Sequence, residues 1–219
     1  MLYHLIKESS LKNKPAPLLI LLHGYGSNEE DLFGLANEFD KEYLVISVRA
    51  PQTLAFGGYA WFNIDFTPEG IKVYDEAEID SSLETVKAFI TECKEKHSVD
   101  ENHIYLAGFS QGAILSHLIA YTYPEMVQGI LAMSGFAREG SIKNRADLEQ
   151  IRKLDVCITH GTEDPVIPVQ QARATKELLD KWEIPYQYKE YPMAHGISPE
   201  CLVDISQWIS DRIKIRDTI

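Results

Sequence analysis

"NHIYLAGFSQGAILSHLIAYTYP", residues Asn102 to Pro124, decides how this chain folds. Its first half carries the apolar run Ile104, Tyr105, Leu106 and Ala107, which reads as a strand buried on both faces. Its second half, from Ala113 to Tyr123, reads as a helix. Between them stands Gly108-Phe109-Ser110-Gln111-Gly112. A strand that becomes a helix within one residue strains the backbone at the turn and crowds the segments beside it. Glycines on either side relieve that crowding, and the serine hydroxyl is presented clear of the sheet. A serine at a helix start can also be a plain N-cap. The buried strand in front of it favours a nucleophile.

Outward from this turn, strands and helices alternate. "APLLILLHG" (16–24) is a continuous apolar run ending in glycine, a buried strand. "NEEDLFGLANEFDKE" (28–42) has helical spacing of Leu32, Leu35, Ala36 and Phe39. A strand at "YLVISVRAP" (43–51) precedes a long irregular stretch from Gln52 to about Asp75, and a long amphipathic helix (76–97) leads into the opening strand. Strands at "VQGILAMSG", "DVCITHG" and "YQYKEYP" follow, separated by helical "QQARATKELLDKW" and closed by "PECLVDISQWISDRI". The pattern predicts one α/β domain over residues 1–219, a mostly parallel sheet with helices on both faces. "YHLIKES" (3–9) has no helix before the next strand, so it is expected antiparallel at an edge. Between "GILAMSG" and "DVCITHG" lie only residues 136–154, too few for a cap domain.

Composition narrows the partners. A formal net charge of −12 argues against nucleic acid and anionic lipid. No apolar run of about 18 residues exists to span a membrane, and the first residues lack the pattern of a cleaved secretion signal. Cys93, Cys157 and Cys201 are few, odd in number and far apart, which reads as packing rather than disulfides or zinc. A cytoplasmic protein is expected.

In a parallel sheet the reactive surface lies beyond the carboxyl ends of the strands. Those ends bring "HGYGSN", "RAPQ", "GFSQG", "SGFA", "HGTEDPVIP" and "PMAHGIS" to one edge. Ser110 needs a general base. Of seven histidines, His4 and His103 fall in strands, His97 and His117 in helices, and His23 and His160 shape strand-end turns. His195, on a late loop, remains. An acid between the two must orient it, and Asp164 fits, with Glu163 as fallback. The order Ser, Asp, His is that of α/β-hydrolases. The backbone N–H groups of Gln111 and Tyr25 are the candidate oxyanion donors, Tyr25 because Gly24 and Gly26 let its loop fold near the serine. Phe56, Tyr59, Trp61 and Phe62 are candidates to line an apolar acyl site.

Together "LLHGYGSNEEDL", "YAWFNI", "GFSQGAIL", "HGTEDPVIP" and "YPMAHGIS" resemble the phospholipase/carboxylesterase branch of the α/β-hydrolases, which includes acyl-protein thioesterases and small carboxylesterases. The resemblance spans nearly the whole chain. It implies a compact α/β-hydrolase without metal or organic cofactor, acting on carboxylic esters or thioesters, and it supports Tyr25 and Gln111 as oxyanion donors. Three residues depart from the pattern: Asn63 stands where aspartate is usual, and Ala113 and Ala194 replace glycines. The expected function is hydrolysis of short- to medium-chain carboxylic esters through an acyl-enzyme. Acyl-protein thioesterase or lysophospholipase activity uses the same groups and is the close alternative. A silent fold used only for binding is the alternative of another class. A small-molecule ester is the expected partner, and a homodimer is allowed by the resemblance alone.

Overall fold

The structure is a computed structural model that describes residues 2–70, 72–142 and 147–216. In chain order its elements are β1 (His4–Lys7), β2 (Ala16–Leu22), α1 (Glu29–Phe33), β3 (Leu44–Val48), β4 (Gln52–Thr53), β5 (Tyr59–Ala60), β6 (Ile64–Phe66), β7 (Lys72–Tyr74), α2 (Glu76–Lys96), β8 (Val99–Phe109), α3 (Gln111–Thr122), β9 (Gly129–Met133), α4 (Leu148–Ile151), β10 (Asp155–Gly161), α5 (Val169–Trp182), β11 (Tyr186–Tyr191) and α6 (Pro199–Arg216).

Seven strands form the central sheet in the order β1-β3-β2-β8-β9-β10-β11. β1 pairs antiparallel with β3 at one edge, and every other neighbouring pair is parallel. The carboxyl ends of the six parallel strands therefore share one rim. Because successive side chains of a strand face opposite ways, β2 divides its leucines between two cores. Leu18, Ile20 and Leu22 pack with Leu83, Phe89, Leu115 and Leu179 from α2, α3 and α5. Leu19 and Leu21 face Leu32, Ile205, Trp208 and Ile209 from α1 and α6. Helices thus cover both faces, as the uninterrupted apolar strands require. All three cysteines are buried and unpaired, and burial pushes the thiols of Cys93 and Cys157 up to about 12, as expected of packing residues.

Two elements differ from the sequence reading. The helix expected over 28–42 stops at Phe33, where the Gly34 N–H is shared between the carbonyls of Glu30 and Asp31. The chain then tightens into a 3₁₀ turn at Ala36–Glu38, which still buries Leu32, Ala36 and Phe39. The stretch expected to be irregular holds two small antiparallel hairpins, β4–β5 and β6–β7. Between β9 and β10 the described residues carry only a 3₁₀ turn and the four-residue α4, so no cap covers the rim. Among the described residues no helix is long and apolar enough to cross a membrane.

α3, directly behind the serine, is buried nearly all round and carries His117. The imidazole Nδ1 meets the Tyr121 hydroxyl at 2.9 Å, while Nε2 has no partner among the described residues. Burial holds this histidine neutral, its pKa lowered to about 3. Between that value and the unfolded value of about 6.5, the unfolded chain binds the proton and the folded chain does not. Stability is therefore complete above about pH 6.5 and falls as pH drops. His117→Leu is expected to flatten that acid slope by about 1.4 kcal/mol per pH unit. Urea midpoints at pH 7, 6 and 5 measure it, and an unchanged slope would refute it.

Candidate active site

Gly108 and Gly112 stand back to back at the end of β8. A Cβ at Gly108 would lie 2.3 Å from the Gly112 carbonyl oxygen, and one at Gly112 would lie 1.9 Å from the Leu22 carbonyl oxygen. Neither position can hold a side chain without moving backbone. The turn they permit puts Ser110 at φ 54° and ψ −114°, a strained conformation for a non-glycine residue. The Ser110 N–H stays anchored to the Met133 carbonyl at 2.9 Å. Sequence alone thus placed the glycines, and the packing of three neighbouring segments explains them.

Ser110, His195 and Asp164, from three distant segments, meet at the rim. His195 Nε2 lies 2.9 Å from Ser110 Oγ, and Nδ1 lies 2.7 Å from Asp164 Oδ2. An ionised carboxylate only accepts, so Nδ1–H donates and Nε2 is left to accept from the serine. Asp164 is wholly buried, and its Oδ1 accepts from the N–H groups of Val166 and Ile167 at 2.8 and 2.9 Å. His160, also buried, donates Nε2–H to the Ile167 carbonyl at 2.8 Å and closes the same loop. The ring of Phe109 packs on the His195 imidazole, centroids 4.9 Å apart. Glu163, the fallback acid, is exposed, and His195 Nδ1 pairs with Asp164 instead.

Tyr25 and Gln111 both border the cavity at Ser110, and neither backbone N–H has a partner among the described residues. The loop bearing Tyr25 is held by His23, whose Nδ1–H donates to the Gly24 carbonyl at 2.7 Å while Nε2 accepts from the Ala50 N–H at 3.0 Å. That pairing requires the neutral ring, and burial lowers its pKa accordingly. Gly24 lies against Ser110, with an added Cβ only 3.2 Å from the serine Cβ.

The cavity has a volume of about 470 Å³ and is walled chiefly by apolar side chains. Of the four aromatics anticipated there, Phe56 and Phe62 line it. Trp61 and Tyr59 do not, which corrects the expectation. Trp61 is wholly buried, because its indole N–H needs an acceptor and finds the His23 carbonyl at 3.0 Å. Its backbone N–H donates to Gln111 Oε1, and Gln111 Nε2 donates to the Phe62 carbonyl, so Gln111 clamps this wall to the nucleophile's helix. Tyr59 sits in β5 with the Arg49 guanidinium over its ring at 4.5 Å. The remaining wall comes from Ile64, Phe66, Lys72 and Tyr74 of the β6–β7 hairpin and from Ile114, Val166 and Ile167, none of which carried a signal in the sequence. Asn63 instead caps the wall from outside, its N–H and Nδ2 both donating to the Glu78 carboxylate. A cavity of about 540 Å³ between β11 and α6 contains none of these groups.

Comparison with known proteins bears on the family and the fold. The model of the phospholipase/carboxylesterase family matches residues 6–213. Acyl-protein thioesterase 1 of Kluyveromyces lactis is 34% identical, over 93% of this chain and 96% of that protein. A probable carboxylesterase of Arabidopsis thaliana, SOBER1-like, is 24% identical over 94% of this chain and 84% of its own length. Among solved structures, the Bacillus cereus carboxylesterase superposes with a TM-score of 0.81 at 26% identity, covering 96% of this chain and 94% of that one. The chain belongs to the phospholipase/carboxylesterase family of α/β-hydrolases.

Proposed function

We propose that the chain is a single-domain serine esterase that hydrolyses short- to medium-chain carboxylic esters through an acyl-enzyme. The observation that carries this is the continuous line from Ser110 Oγ through His195 to the buried Asp164, with spacings of 2.9 and 2.7 Å. His195 takes the serine proton as Oγ attacks the ester carbonyl. The N–H groups of Tyr25 and Gln111 stabilise the oxyanion. The imidazolium then protonates the leaving alcohol, and water activated by the same ring releases the acid. Asp164 holds the ring's tautomer throughout. The acyl chain occupies the apolar cavity beside Ser110, whose limited volume favours the shorter chains.

A second reading, thioester or lysophospholipid hydrolysis, is favoured by the exposed apolar side chains Phe56, Phe66 and Val166 around the cavity mouth, which suit a lipidated or amphiphilic substrate. We place the protein in the cytoplasm on its three unpaired cysteines, and expect no nucleic-acid partner at net charge −12. A 4-nitrophenyl butyrate assay is expected to show burst kinetics, with a fluorophosphonate labelling Ser110 stoichiometrically. Relative kcat/KM on that ester, a long-chain lysophospholipid and an S-palmitoyl peptide decides between the readings. A thioester preference of orders of magnitude would overturn the first.

A further inference from the structure

Among the described residues, one lysine and no arginine or carboxylate stands in the wall of the cavity at Ser110. Lys72, on β7, sends Nζ across to the Val166 carbonyl at 2.9 Å, its sole partner among the described residues. A second depression, of about 410 Å³, shares Lys72, Tyr74, Val166 and Ile167 with that cavity. The second depression also holds Arg138, but that charge is met by Glu76 at 2.6 Å, and the guanidinium lies over the Tyr74 ring. Asp164 is likewise committed, to His195 and its own loop. Among the described residues lining the two depressions, Lys72 is the cation without a carboxylate.

An ammonium has three N–H donors, and one is used here. In solution, water hydrates the other two. An acyl chain ending in a methyl group displaces that water and leaves donors unmet, which is costly for a charged group. A chain ending in a carboxylate supplies a charge-assisted acceptor in the water's place. The overall acidity of the protein opposes anionic substrates. However, that field is screened over about 8 Å at physiological ionic strength, so the contact with Lys72 decides. We propose that Lys72 determines acyl specificity, favouring half-esters of dicarboxylic acids over methyl-ended esters of equal length. This rests on the cavity being the acyl site, as proposed above.

The test compares 4-nitrophenyl half-esters of the glutarate-to-sebacate series with methyl-ended 4-nitrophenyl esters of the same carbon number. The measured quantity is the ratio of kcat/KM within each enzyme. In the unaltered protein the ratio is expected to reach about ten at the length that brings the carboxylate to Lys72, and to shrink in 0.5 M salt (about a 4 Å screening length). Lys72→Met brings it to about one or below at every length, and Lys72→Arg retains it. A methyl-ended preference at every length in the unaltered protein, or a preference that survives Lys72→Met, overturns the role of Lys72 alone. Absence of turnover on both ester series together with absence of fluorophosphonate labelling overturns the reading of the site and this inference with it.

Discussion

Ser110→Ala is expected to lower kcat on 4-nitrophenyl butyrate by about five to six orders of magnitude, the loss found when a serine nucleophile is removed from a preorganised site. The folded protein should hardly notice. Alanine keeps the Cβ, so the strained φ of 54° is neither relieved nor worsened. The anchoring bond from the residue 110 N–H to Met133 is backbone and survives. The hydroxyl itself has one partner among the described residues, His195, so the change in stability should stay within about 1 kcal/mol. A small activity above the uncatalysed rate should persist, because the Tyr25 and Gln111 N–H groups still meet the oxyanion of an attacking water. Single-turnover assays and a thermal melt on the same preparation check both halves. A variant with a tenth of the normal rate would remove Ser110 from the mechanism.

Much of this was legible in the sequence wherever a residue's chemistry left it one place to go. Six strand ends with parallel connections had to share a rim, so Ser110, Asp164 and His195 could be brought together from chain order alone. The glycines at 108 and 112 signalled a turn too tight for side chains, and the 2.3 and 1.9 Å approaches show how little room there is. The acyl wall was not legible. β6 and β7 have three residues each, too short for a period, and which residues face the cavity depends on the pairing of Ile64 with Tyr74 and Phe66 with Lys72. Trp61 misled because it stands within the motif "YAWFNI", while its N–H committed it to the His23 carbonyl in the interior. Gln111 was chosen for its backbone. That its side chain also binds both Trp61 and Phe62 follows only from a loop fold that local sequence does not encode.

Asp164→Asn is expected to cost about four orders of magnitude in kcat near neutral pH, although the substitution is nearly isosteric. The two ends of the Asp164 side chain have different partners. Oδ1 accepts from the N–H groups of Val166 and Ile167, whereas Oδ2 accepts from His195 Nδ1–H. In the amide, oxygen must take the first position, because an NH₂ group there would oppose two backbone donors. The NH₂ then faces His195 and forces its Nδ1 to accept. The ring's proton moves to Nε2, where it points at Ser110 Oγ and can no longer receive the serine proton. The imidazole stays in place and acts in the wrong tautomer. The loop contacts survive, so stability should fall by no more than about 1–2 kcal/mol, the loss of one charge-assisted bond. KM should change little, because Asp164 is fully buried and touches no substrate. Raising the pH should restore part of the rate by deprotonating the serine without the imidazole's help, a recovery that simple misfolding would not show. Near-normal kcat in a properly folded Asp164→Asn variant would mean that the carboxylate is not what orients His195.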